Sequence, residues 1–272
     1  MYTKEDVFEQ LKNMGVPQDS PVTIHSSLKS IGEIEGSGEG LLDILIEYVT
    51  KDGGLLCVPT HTHANLYRDD IITLDLLNPE TNVGAFAMIA ARDKRGVRSI
   101  NPSHSMMIFG DRAAAEAFAS CDNDIKSCTS PDGCYGELYR QDGYVILAGV
   151  GHNTNTFLHC VEEMLKLKGR LSSDYIDTTV RFLDGRIKHF PIKTYVAWMT
   201  ETGNTSAKFP KYEPAFKYHG CINDGKLGDA ATQVCSAKGM ADVMRLIYER
   251  SGGIDFLLDD SPEIDGKYYK CK

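Results

Sequence analysis

The sequence predicts an α/β fold: a single-domain, layered α/β structure with a central, mostly parallel (mixed) sheet and an added antiparallel hairpin. Three observations predict it. Short apolar runs of β-formers at 21–25, 55–59 and 144–148 alternate with stretches whose apolar residues recur at helical spacing. The run 21–25, the amphipathic stretch 40–50 and the run 55–59 make a strand–helix–strand unit, which implies a parallel pair with a right-handed crossover. Two β-patterned runs, 178–183 and 186–193, are joined by Asp184-Gly185, a hairpin signal. No internal repeat or linker divides the chain, so one domain is expected over 1–272.

Taken in order, Val7, Leu11 and Met14 give the first helix its apolar face, and Gly15 and Pro17 end it. Strand 21–25 then runs into Ser26, Ser27, Leu28, Lys29, Ser30, Ile31 and Gly32. Hydroxyls and a glycine in one turn offer donors to a phosphate or amide ligand, with Lys29 as a local positive charge. The same residues also serve a plain capping turn with no ligand, and the GxxxxGK[ST] phosphate loop is absent. The strand 55–59 delivers Thr60-His61-Thr62-His63. His61 and His63 are the best metal candidates, but they point to opposite sides if the strand continues, and no HxxxH companion follows. No metal site is expected. Asp69 and Asp70 lie in a polar loop, where they can meet a cationic substrate or simply be solvated.

A helix is expected at 83–92, a polar turn at 98–105, a strand at 106–109 and an Ala-rich helix at 111–120. Ser130-Pro131-Asp132-Gly133 is a turn, with Pro131 suited to the first turn of a helix that runs through Arg140. A short helix begins near 212–216, a long one fills 237–250, and the charged tail from 259 ends on the surface.

The stretch 144–163, YVILAGVGHNTNTFLHCVEE, organises the rest. A buried strand passes through a Gly-rich turn into a helix, so free N–H groups of the turn lie where the helix dipole is positive. Such a turn can hold an anion or the oxygen of a polarised carbonyl. His159 and Glu162 follow at i, i+3, on one helix face. An imidazole beside a carboxylate makes a general-base site, although the same turn also occurs in α/β proteins with no chemistry there.

The net charge of −9 argues against nucleic acid or an anionic membrane as the main partner and weakly favours a cationic one. The first residues form no apolar signal core, and no run approaches the roughly 18 apolar residues of a membrane span, so a cytoplasmic location is expected. The eight cysteines show neither CxxC nor paired ligand spacing, which suits free thiols in a reducing compartment; Cys57 and Cys160 sit in apolar runs and read as core. The chain carries no motif for assembly, and a homodimer is compatible with it.

Several of these turns together resemble one family. HSSLKSIG (25–32), PTHT (59–62), RSINPSHS (98–105), SPDGCYGEL (130–138) and GVGHNTNTFLHCVEE (149–163), with a weaker piece from YEPAF to GKLGDA (212–230), are similar to aminoglycoside N(3)-acetyltransferases of the antibiotic NAT type, not the GNAT type. The resemblance implies acetyl transfer from acetyl-CoA to an amine, the 3-amino group of a 2-deoxystreptamine aminoglycoside. It implies His159 as general base with Glu162 as its carboxylate partner, and no metal. It places CoA against Ser26, Ser27, Leu28, Lys29, Ser30 and Gly32, with His104 and Ser105. Aminoglycosides are polycations, which fits Asp69, Asp70 and Glu213 as substrate-binding acids. One departure stands out: the family usually reads HPxHS where this chain has Asn101-Pro102-Ser103-His104-Ser105. Asn keeps donor and acceptor capacity but cannot titrate. Alternatives left open are another amine acceptor, a His-rich metallohydrolase built on His61, His63, His104 and His152, and a CoA-binding protein without activity.

Overall fold

The computed structural model describes residues 1–68, 71–196, 199 and 203–271. Helix α1 (Lys4–Asn13) leads to β1 (Pro21–Ser26), a one-turn α2 (Leu28–Ile31), α3 (Ser37–Val49) and β2 (Leu55–Pro59). Then come β3 (Leu74–Asp75), α4 (Ala85–Arg92), β4 (Val97–Arg98), β5 (Met106–Phe109), α5 (Arg112–Ser120) and α6 (Cys134–Arg140). The chain continues through β6 (Tyr144–Ala148), α7 (Phe157–Met164), β7 (Thr179–Arg181), β8 (Ile187–His189) and α8 (Glu213–Tyr218), and closes with β9 (Ile222–Leu227), β10 (Ala230–Ser236) and α9 (Ala237–Arg250).

The main sheet has the order β4-β5-β2-β1-β6-β10-β9. Its centre is parallel, since β1 runs with both β2 and β6; β5 and β10 join antiparallel on the two flanks. The central strands are apolar on both faces because both faces are covered. Along β6, Val145 and Leu147 join a cluster with Phe118, Tyr135, Phe157 and Met244, while Ile146 and Ala148 join a second cluster with Val7, Leu41, Leu45 and Phe86. Helices α5 to α9 therefore cover one face, and α1, α3 and α4 the other.

Register decides where the site lies. Ser26 pairs with Ala148, and Thr23 with Cys57, so the three parallel strands end at the same edge of the sheet. Pro59 pairs with Met106, so antiparallel β5 starts where β2 stops. One edge thus receives Ser26-Ser27, Thr60-His61, Gly149 to His152 and the turn 101–105, and in open α/β sheets the carboxyl edge of the strands is where ligands bind.

The hairpin signalled by Asp184-Gly185 forms, as β7 paired antiparallel with β8. It does not extend the main sheet; β3 pairs parallel with β7, and the three strands make a small second sheet. A second hairpin, β9–β10, is not among the sequence expectations, although Gly228-Asp229 is a two-residue turn signal. Gly228 has φ of +58°, and a Cβ there would lie 2.2 Å from the Ile31 carbonyl oxygen, so no other residue fits. Helix α6 starts at Cys134, three residues after Pro131, because the buried Asp122 carboxylate accepts the Cys134 N–H at 2.9 Å and fixes the helix start there. All eight cysteines are free, and Cys57 and Cys160 lie in the core. Among the described residues, no helix is long and apolar enough to cross a membrane.

Candidate active site

Helix α7 places His159 and Glu162 on one face, with His159 Nδ1 2.6 Å from Glu162 Oε2. The Glu162 side chain is fully buried, and its other oxygen accepts from Arg170 Nε. Arg170 donates onward from Nη2 to Asp255 at 2.6 Å and from Nη1 to the Lys168 carbonyl at 2.8 Å. Burial pushes the Glu162 carboxyl up, but the hydrogen bond and charge of His159, together with Arg170, outweigh it and hold the group below its ordinary value. A carboxylate on Nδ1 fixes the tautomer: neutral His159 donates from Nδ1 and keeps a lone pair on Nε2. The ring is clamped by Tyr195 and Phe209, at centroid distances of 4.3 and 4.9 Å.

Two clefts of about 380 Å³ each meet at this ring. The first runs between Ile24, Ser26, Val58, Phe86, Val150 and Asn153. The second is bounded by His63, Leu66, His104, Tyr195 and Asn204. His61, Thr156, His159 and Ser206 line both and mark the junction.

Across the junction from α7 lies a group of imidazoles. The rings of His61 and His104 are 4.5 Å apart, and His63 stands 6.3 and 6.0 Å from them. Burial, then the charge of neighbouring imidazoles, holds His61 well below the usual range and His104 down to about 3. Burial alone takes His25 to about 4. These rings are therefore neutral at pH 7. No three His, Cys, Asp or Glu side chains among the described residues are placed to hold a metal ion.

The structure distributes the sequence-predicted residues unevenly. Ser26 lines the first cleft. Ser27 caps α2, its hydroxyl accepting from Ser30 N at 3.3 Å and Ser30 Oγ at 2.9 Å. Lys29, Ser30 and Gly32 are exposed on that turn, and Leu28 is half-buried against the core. His104 lines the second cleft, whereas Ser105 is buried, donating to the Thr60 carbonyl at 2.9 Å and accepting from Arg98 Nε at 3.2 Å. Glu213 lines neither cleft; it pairs with Lys217 at 3.0 Å and accepts from Gln233 at 2.9 Å. Asp69 and Asp70 lie outside the described residues.

Asn101 builds the turn that presents His104. Its Oδ1 accepts from Ser103 N at 3.2 Å and His104 N at 2.9 Å, and its Nδ2 donates to the Cys128 carbonyl at 2.8 Å. One oxygen with two lone pairs serves two N–H groups, which a single ring nitrogen does not. Sequence reasoning misses Arg170 and Asp255, which no local spacing ties to Glu162. It also misses Tyr135, whose hydroxyl is 2.7 Å from His61 Nε2.

Residues 23–249 match the sequence model of the aminoglycoside 3-N-acetyltransferase family. Aminoglycoside N(3)-acetyltransferase IV of Salmonella sp is 28% identical over 61% of this chain and 60% of its own length. Aminoglycoside N(3)-acetyltransferase III of Pseudomonas aeruginosa is 22% identical over 88% and 90%. The chain thus spans less than two thirds of the first of these relatives and nine tenths of the other. Among solved structures, a mutant of aminoglycoside acetyltransferase AAC(3)-IVa in complex with a gentamicin superposes with a TM-score of 0.75 at 22% identity, covering 92% of this chain and 90% of that one. AAC-IIIb in a binary complex with CoASH gives 0.76 at 16%, covering 92% and 97%. These structures share the fold, and with the family's sequence pattern running through both clefts and the α7 dyad, the chain belongs to the aminoglycoside 3-N-acetyltransferase family.

Proposed function

We propose that this protein, acting as one domain over 1–272, transfers an acetyl group from acetyl-CoA to the 3-amino group of a 2-deoxystreptamine aminoglycoside, with His159 as general base. The observation that carries the reading is the position of His159: Nδ1 held by a buried carboxylate, at the junction of two clefts. The first cleft has the apolar walls and the polar rim of Ser26, Asn153 and Thr154 that suit a pantetheine arm, and the turn capped by Ser27, with Lys29, Ser30 and Gly32 exposed on it, suits phosphate beyond it. The second cleft takes the acceptor, with His104 on its wall. Solved structures of relatives with CoASH and with a gentamicin support the two classes of ligand.

His159 Nε2 removes a proton from the acceptor ammonium, and the freed amine attacks the thioester carbonyl. The C–S bond breaks as the amide forms; of the two protons the ammonium nitrogen loses in becoming an amide, His159 passes one to the leaving sulfur and the other goes to solvent. The amine is its own nucleophile, so the reaction requires no acyl-enzyme. Holding the two substrates against one imidazole converts a bimolecular encounter into a positioned one. The reaction belongs where acetyl-CoA is held, in the cytoplasm, and eight free thiols suit that compartment.

Thiol release from acetyl-CoA across a panel of aminoglycosides, with one acceptor lacking a free 3-amino group, tests the proposal. Release that depends on the 3-amino group is the expected result. Silence across the panel with CoA binding intact by calorimetry would move the acceptor to another amine, and silence with no CoA binding would end the acetyl-transfer reading.

A further inference from the structure

The backbone around His61 is held from both sides. Thr60 N donates to the Ser105 carbonyl at 2.8 Å and Thr62 N to the Ser103 carbonyl at 2.9 Å, while the His61 carbonyl accepts from Asn82 N at 2.8 Å and Thr81 Oγ1 at 2.9 Å. The ring is held by Tyr135, a buried residue in the first turn of α6, whose start is fixed by Asp122. His61 Nε2 is the one hydrogen-bond partner of the buried Tyr135 hydroxyl among the described residues. That sends the Tyr135 hydrogen to His61 Nε2, and a neutral imidazole that accepts at Nε2 carries its own proton on Nδ1.

Four side chains line both clefts, and two are already committed. His159 takes the proton of the amine, and Ser206 Oγ donates to Asn204 Oδ1 at 2.6 Å. Of the remaining two, Thr156 and His61, the His61 ring is the one held by a side-chain partner, Tyr135, and its Nδ1 has no partner among the described residues. We infer that His61 is a second catalytic residue, its Nδ1–H donating to the thioester oxygen as negative charge gathers there, with Tyr135 fixing the tautomer that makes this N–H available. The inference rests on the acetyl-transfer reading above. Attack forms the N–C bond and moves the carbonyl π pair onto oxygen, where His61 meets it; the pair returns as the C–S bond breaks. His61 gives up no proton; the nitrogen loses two in becoming an amide, one passed by His159 to the sulfur and one released to solvent. A preset neutral N–H in a closed site suits this task, since it needs no reorganisation and buries no charge. Burial and the surrounding His104, His25, His63 and His159 keep the ring in that neutral form.

Steady-state kinetics of His61→Leu, His61→Asn and Tyr135→Phe, with acetyl-CoA and an accepted amine, test the inference; thermal unfolding and CoA calorimetry check the fold. Removing one oxyanion donor lowers kcat by about 10²–10³-fold, so His61→Leu is expected in that range with KM within roughly threefold. Asn places an N–H near the Nδ1 position, and His61→Asn is expected to recover about tenfold over His61→Leu. Tyr135→Phe loses the tautomer and is expected to fall about tenfold in kcat. A His61→Leu enzyme within threefold of wild type, or an Asn variant as slow as the Leu variant, overturns the donor role. Should His61→Leu not fold, Tyr135→Phe decides, and an unchanged kcat there overturns it equally. If the unsubstituted protein transfers acetyl to no amine, the parent reading falls and takes this one with it.

Discussion

On α7, His159 faces a buried carboxylate that Arg170 and Asp255 secure from behind; on the wall of the same cleft, His61, His63 and His104 face one another. The same side chain is set to opposite tasks. The carboxylate on Nδ1 orients the His159 ring and leaves Nε2 as its accepting atom. A desolvated ring among other rings pays for every proton and stays neutral. Residue type alone therefore says little about chemistry at this edge; the partner of each ring decides it.

The largest expected effect removes the first half of that contrast. His159→Ala is predicted to lower kcat by about 10³-fold, within the range of a lost general base, while CoA affinity is unchanged. Thiol-release kinetics and calorimetry check both. A variant that keeps a tenth of wild-type kcat would place the base elsewhere, and His61 and His104 would then be the rings to examine.

Glu162→Gln comes next. It leaves the geometry and takes away the charge, so kcat is expected to fall about 10²-fold. It also leaves Arg170, 2% exposed, with half its compensation, at a cost of about 3 kcal/mol in urea unfolding. The pH dependence has a definite sign. Glu162 titrates below its ordinary 4.5 in the folded protein, so its contribution is fully present above that value and is lost as pH falls below it toward the folded pKa. The Gln variant should lack that share of the acid loss, and a variant with the wild-type acid slope would show that the carboxylate is not held as described.

Asp255→Asn probes the outer end of the same chain. Arg170 keeps Glu162 and the Lys168 carbonyl, and Asp255 is partly exposed, so the expected loss is about 1 kcal/mol with a few-fold drop in kcat. An equal loss from Asp255→Asn and Glu162→Gln would mean that the tail, rather than the dyad, anchors Arg170.

These two partners show where sequence reading stops. His159 and Glu162 are legible because i, i+3 spacing is a property of one helix, and the three parallel strands because each is a short apolar run between turn residues. Arg170 lies beyond the end of α7, and Asp255 is 85 residues farther on in the C-terminal tail, so only tertiary folding brings them together. The β9–β10 hairpin is signalled in sequence by Gly228-Asp229 alone, since INDGKL before it alternates poorly between buried and exposed positions. Asn101 carries the opposite lesson. As a departure from a family motif it suggests lost chemistry, yet its three hydrogen bonds make it a builder of the His104 turn.

The smallest effect tests the second half of the contrast. His104 titrates at about 3 in the folded chain and near its ordinary 6.5 when unfolded. At high pH both states are neutral and the ring contributes nothing; as pH falls below 6.5 the unfolded chain takes up the proton first, and stability drops. Between pH 7 and pH 6 this one ring is expected to cost roughly 0.7 kcal/mol. His104→Asn, which cannot titrate, should show a free energy of urea unfolding that changes less over that interval, by about that amount. His25 and His152, each held near 4 by burial, and His61 and His63, also held below their ordinary value, keep the rest of the acid sensitivity in the variant. If wild type and variant shift alike, His104 already carries a compensating partner, the imidazole group is not the uncompensated counterpart of the α7 dyad, and the contrast between the two regions collapses to a difference of position alone.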